Sequence, residues 1–269
     1  MRIDTSAFAD KKELFKYLHA NKREIIELKK SAIKQCDIVV ASNLEPTTLK
    51  ALTTSNVDDP TTGTIKRTII ANTYNWMDSH DDVHLDGIFA KSISEKTAWH
   101  LHDHMFNITA KVGKPLSIQE KAIQWSQLNV SKFGYTQALF LESEILERYN
   151  EKVYQMYLNN EIDQHSVGMQ YVQVYLAMND PEYKEAFAQW NETLPKLGNA
   201  AKAEEQGFFW AIKEAKLREI SCVLEGSNEL TPTLLNKNIG PLANTQKDEP
   251  DLNDSTLKER EANKSFIYY

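Results

Sequence analysis

Asn159-Asn160-Glu161-Ile162-Asp163-Gln164-His165-Ser166-Val167-Gly168-Met169 begins as an irregular polar segment and changes character at Ser166, where the run SVGMQYVQVYLA (residues 166–177) starts. β-Branched and aromatic residues suit a pleated, half-buried surface, so a strand is expected from Ser166 onward. A serine at this transition is a candidate nucleophile. Its hydroxyl reacts at neutral pH only if a base takes the proton and a third group holds the base. The base is sought upstream in Trp99-His100-Leu101-His102-Asp103-His104, and the orienting acid downstream in Leu217-Arg218-Glu219-Ile220-Ser221. His165 is adjacent to Ser166, and adjacent side chains on a strand point to opposite faces, so it is expected to face away from the hydroxyl.

Outward from this stretch, residues 138–158 carry Ala138, Leu141, Ile145, Tyr149, Val153 and Met156 at three- and four-residue spacing, which predicts a helix with Thr136 near its start. Residues 116–130 alternate with period two and predict a long strand or hairpin. Residues 67–77 predict a first strand, followed by a turn at Asp78-Ser79-His80-Asp81-Asp82, whose side chains can bond their own backbone. One or two helical turns are expected at residues 88–93, a short surface helix at 181–191, a loop at 193–207 and a strand at 208–224. Residues 11–35 place Leu14, Leu18, Ile25, Leu28 and Ala32 near one face of an amphipathic helix, either an arm or a packing helix.

Strands outnumber helices between residues 67 and 230 without regular β-α alternation. The expected class is α+β, an antiparallel sheet or small barrel with flanking helices. Residues 1–66 read as a helical arm and linker, 67–235 as the main domain, and 236–269 as a polar tail of disordered composition that stays off the core.

Forty-one per cent apolar residues in 269 suffice for one full core, and a net charge of -7 argues against a nucleic-acid coat, which needs clustered Lys and Arg. No apolar run approaches the roughly 18 residues that cross a bilayer. Met1-Arg2-Ile3-Asp4 opens no signal peptide, so a cytoplasmic location without membrane partners is expected. Cys36 and Cys222 form no CxxC pair and are expected to be reduced and at least partly buried, with no cofactor or metal implied.

Four segments in order resemble one family, the prohead or capsid-maturation proteases of tailed phages, whose fold is similar to herpesvirus assemblin. Asp78 with Asp81-Asp82-Val83 and Gly87-Ile88-Phe89 resembles the family's turn and Gly-Ala-Phe-like helix start, with Ile88 in place of alanine. Leu101-His102-Asp103-His104 followed by Val112-Gly113-Lys114 resembles its Leu-x-x-His then Gly-Lys, with a longer spacer. Ser166-Val167-Gly168-Met169 is similar to its Ser-Ile-Gly-Phe, and Leu217-Arg218-Glu219-Ile220-Ser221-Cys222-Val223, ending in Thr231-Pro232, is similar to its Leu-x-Glu-(Val/Ile)-Ser-Leu-Val strand. The resemblance implies a β-barrel-like fold and a serine endopeptidase with Ser166 as nucleophile, His104 as base and Glu219 as third member. Its implied substrates are scaffold and major capsid protein, and its own chain, inside an immature capsid in the host cytoplasm. It also implies a homodimer or higher homo-oligomer. Residues 180–207 are an insertion relative to the family.

Each residue has a plainer reading. Ser166 could cap a turn, and Glu219 could pair with Arg218 or Lys216 in a solvated strand. His102 competes with His104 as the base. The loop Gly226-Ser227-Asn228 is a candidate source of oxyanion donors. Two rival classes follow: a metal hydrolase built on His80, His84, His100, His102 and His104 beside Asp78, Asp81 and Asp82, and a non-enzymatic capsid scaffold or assembly module.

Overall fold

The computed structural model describes residues 3–32 and 58–234. Cys36, most of the expected linker and the polar tail lie outside the described residues. The expected N-terminal helix is two: α1 (Lys11–Ala20) and α2 (Lys22–Ser31), joined at Asn21. The Asp10 side chain accepts from Glu13 N at 2.8 Å and caps α1, satisfying one of the amides that a helix start leaves without a partner. Leu14, Phe15, Leu18 and Ile25 are buried in the same cluster as the sheet residues Ile69, Leu141 and Val167, so the helices belong to the core.

Nine strands form one sheet among the described residues. They are β1 (Asp58–Asp59), β2 (Thr64–Thr73), β3 (Asp82–His84), β4 (Trp99–His102), β5 (Lys111–Gln124), β6 (Tyr135–Leu146), β7 (His165–Met178), β8 (Phe208–Cys222) and β9 (Thr233–Leu234). The order β2-β6-β5-β4-β8-β7 runs across the sheet, with β1 and β9 on β2 and with β3 on the first half of β8. The α+β class stands, but the antiparallel barrel expectation needs correction. Strands β3 and β4 both lie parallel to β8, so the sheet is mixed. It is also open. Among the described residues no ladder joins β7 to β2 or β9, and side chains bridge that seam instead. The Thr231 hydroxyl donates to His165 O at 2.7 Å, and Thr233 Oγ1 donates to Ile162 O at 2.7 Å.

The helix predicted over 138–158 is the other correction. Its first half is strand β6, paired on both sides with β2 and β5, and only α4 (Glu151–Leu158) is helical. The inward positions Leu141, Ser143 and Ile145 alternate, but Ser143 is polar, which hid the period of two; its hydroxyl serves a buried histidine. Thr136 caps no helix and donates to Tyr74 O at 2.8 Å, while Asn150 caps α4 through Val153 N at 3.1 Å. The remaining helices are α3 (Ala90–Glu95), α5 (Lys184–Thr193) and α6 (Ala200–Gln206). The last occupies part of the stretch expected to be loop and ends at Gly207, which holds φ +83° as a left-handed cap. Cys222 is a buried free thiol, and burial pushes its pKa up to about 12.

A buried relay ties these layers together. His165 Nδ1 donates to Thr231 O (2.8 Å), which makes Nε2 the acceptor of the Tyr157 hydroxyl (3.0 Å). Tyr157 has one proton, so His100 Nε2 must donate to its oxygen (3.2 Å), and the Ser143 hydroxyl then donates to His100 Nδ1 (2.8 Å) in preference to the more distant Lys114 O (3.2 Å). Both histidines are neutral. Burial lowers His100 to about 3 and His165 to about 4. The unfolded chain binds protons at these rings below about pH 6.5 while the folded chain does not, so stability is full above that pH and falls as pH drops toward 4 and then 3. Urea denaturation between pH 7 and 4.5 is expected to show unfolding coupled to uptake of about two protons, a slope approaching ~2.7 kcal/mol per pH unit. A pH-independent stability in that window would contradict the relay.

Candidate active site

Glu219 lies on β8 opposite Gly168 of β7, and Ser221 lies opposite Ser166. Residues two apart on a strand share a face, so Ser166, Gly168, Glu219 and Ser221 form one four-residue patch. Gly168 has a steric reason to be glycine. A Cβ there would overlap the Glu219 carboxyl group, which lies directly over it. The carboxylate is almost fully buried. Its Oε1 accepts from His104 Nδ1 at 2.6 Å and its Oε2 from the Ser221 hydroxyl at 2.6 Å.

His104 reaches Glu219 through an uncommon backbone turn. Strand β4 ends at His102, whose register partner is Cys222, and Asp103 N continues the pairing by donating to Cys222 O at 3.0 Å. Asp103 and His104 then both adopt positive φ, 50° and 53°, and Met105 N closes the turn on His102 O at 3.1 Å. Consecutive left-handed residues define a type I′ turn, tolerated by aspartate but costing roughly 1 kcal/mol for a residue such as histidine. Backbone of this kind persists where surrounding bonds fix it. Here the bond from His104 N to Ser221 Oγ (3.2 Å) and the imidazole bond to Glu219 do so.

Thus two of the three expected residues touch, and the third, Ser166, stands across the ladder from Ser221, which contacts both of them. His102 turns elsewhere, with Nδ1 2.9 Å from Asp103 Oδ2 at the surface. His165 faces away into the buried relay, as strand alternation predicts. Ser166 is about nine-tenths buried, and its hydroxyl makes no hydrogen bond among the described residues. It opens on a cleft along the seam between β2 and β7, shared with Asn72, His80, His84, Tyr171, Ser227 and Asn228. His104 and Glu219 do not line that cleft. His80 does, a proximity that chain order alone could not reveal because it depends on how the seam closes.

Four of the five clustered histidines of the metal reading have separate side-chain partners. His84 bonds Asn72 and Tyr171, His100 bonds Ser143 and Tyr157, His102 bonds Asp103, and His104 bonds Glu219. Among the described residues no three His, Cys, Asp or Glu side chains form a metal-binding group. No described helix is long and apolar enough to cross a membrane. In comparisons with known proteins, no family model, no curated protein and no solved structure matches the chain.

The packing at Gly168 yields a direct expectation. Gly168→Ala forces either β7 or the Glu219 carboxylate to move. The variant is expected to fold yet lose the His104–Glu219 bond, observable in its crystal structure. An undisturbed pair in the Gly168→Ala variant would refute the steric argument.

Proposed function

We propose that this protein is a serine endopeptidase of the prohead-protease kind, with Ser166 as nucleophile, His104 as general base and Glu219 as the group that orients the base. The observation that carries the reading is the 2.6 Å bond between His104 Nδ1 and a buried Glu219 carboxylate, which is paired two residues along the ladder from Ser166. With Nδ1 bonded to Glu219, Nε2 is the nitrogen that takes the Ser166 proton and returns it to the leaving amine in this reading, while the carboxylate stabilises the imidazolium. Ser166 Oγ attacks the scissile carbonyl, the C–N bond breaks after proton return, and water releases the acyl group by the same path. The developing oxyanion needs amide donors. Ser227 and Asn228 line the Ser166 cleft, and their backbone N–H groups meet no acceptor among the described residues.

The family resemblance extends the proposal to substrate and setting: scaffold and major capsid protein, and the chain itself, cut inside an immature capsid by a homo-oligomeric enzyme. The likeness to the assemblin fold belongs with it, as an open mixed sheet rather than a closed barrel.

Co-expression with candidate capsid and scaffold proteins, read by intact mass, tests the assignment. Ser166→Ala is expected to abolish processing while the protein folds, a loss of about 10⁶ in turnover, and His104→Ala to be nearly as severe. Glu219→Gln should be milder, and His102→Ala should retain activity. His80→Ala discriminates the second base within reach of the cleft: activity surviving in His104→Ala and lost in His80→Ala would transfer the role to His80.

A further inference from the structure

Lys29 of helix α2 is wholly buried, a rare location for lysine unless it is paired. Its Nζ donates to Asp82 Oδ1 at 2.5 Å and stands 5.3 Å from the ring centre of Trp210. The second Asp82 oxygen accepts from the Tyr171 hydroxyl at 2.8 Å. Tyr171 has a single proton and gives it to Asp82, so His84 Nε2, 3.1 Å away, must donate to the phenol oxygen. That fixes the tautomer, and His84 Nδ1 accepts from Asn72 Nδ2 at 2.8 Å. Asn72 Oδ1 in turn accepts from Asn228 Nδ2 at 2.9 Å, which also bonds Thr73 O at 2.7 Å, while Asn228 Oδ1 accepts from Leu230 N at 3.1 Å.

From Asn228 to Asp82 the donors point one way, toward the carboxylate. Burial and the charge of Asp82 hold Tyr171 well above its ordinary pKa, keeping it a donor. Four members of the chain, Asn72, His84, Tyr171 and Asn228, line the cleft that Ser166 opens on. Lys29 beside Asp82 favours its charged form, and a protonated Asp82 would compete with Tyr171 as donor.

We propose that Lys29 is a positioning residue for the Ser166 cleft: the docked helix α2 supplies the counter-charge that keeps Asp82 ionised, and ionised Asp82 orders the chain that fixes the loop at residues 226–230. The catalytic consequence rests on the endopeptidase reading, in which this loop faces the oxyanion; the ordering of the loop does not. A merely stabilising ion pair would lower the melting temperature without changing the loop in a folded variant.

Two variants separate these roles. Tyr171→Phe cuts the chain and leaves the ion pair, and Lys29→Met with Asp82→Leu removes both charges and the acceptor of Tyr171, so that no charge is stranded in the core. Each is compared with the full wild-type chain by hydrogen exchange of peptides covering residues 224–232 and by the rate at which a fluorophosphonate probe labels Ser166. Both variants are expected to exchange about tenfold faster in that loop, and to label about tenfold slower, the effect of one lost buried hydrogen bond, with β5 and β6 unchanged. Wild-type loop protection in both folded variants overturns the proposal, as does faster exchange with undiminished labelling. If the double variant does not fold, Tyr171→Phe alone decides. If the wild type takes no label on Ser166, the endopeptidase reading has failed, and loop exchange still decides whether Lys29 orders the loop.

Discussion

A carboxylate taken out of water costs several kcal/mol unless its oxygens are hydrogen-bonded, and Glu219 meets that demand with His104 on one oxygen and Ser221 on the other. The local architecture is arranged around that requirement. Strand β4 lies parallel to the end of β8 so that its exit stands beside Cys222, and the left-handed turn at Asp103 and His104 swings the imidazole back over the sheet. Gly168 leaves room for the carboxyl group where any side chain would collide with it. Ser221 holds both the Glu219 carboxylate and the His104 backbone, and its ladder partner is Ser166. The candidate nucleophile is therefore placed by the register that places its partners.

The interior holds two further polar chains, each with its direction set at one end. The ionised Asp82 aligns Tyr171, His84, Asn72 and Asn228, and the Thr231 carbonyl fixes His165, Tyr157 and His100. Completed networks of this sort specify one arrangement of the strands they join, because a half-satisfied one is costly in a low-dielectric interior. They occupy three of the seven histidines. His84, His100 and His104 serve three different networks, which is why their closeness in sequence produces no shared ligand shell among the described residues.

Much of the site was legible because it is encoded in short-range pattern. The strand from Ser166, the strand ending near Cys222 and the turn at 78–82 follow from β-branched runs and side-chain-to-backbone bonds, and the Asp78 carboxylate does accept from His80 N and Asp82 N. Strand β6 was misread because its inward Ser143 breaks the apolar alternation for the sake of His100. The parallel placement of β3 and β4 depends on long connections that no local pattern records. The role of Lys29 was equally hidden, since a lysine on an amphipathic helix ordinarily faces water and only the fold brings Asp82 against it.

The most direct measurement is peptide mapping of the intact protein after reaction with a fluorophosphonate, which bonds through phosphorus to an activated serine oxygen and releases fluoride. The account predicts one adduct, on Ser166, that disappears in His104→Ala although Ser166 is still present. An adduct on another serine, or labelling of Ser166 that is indifferent to His104, would contradict it.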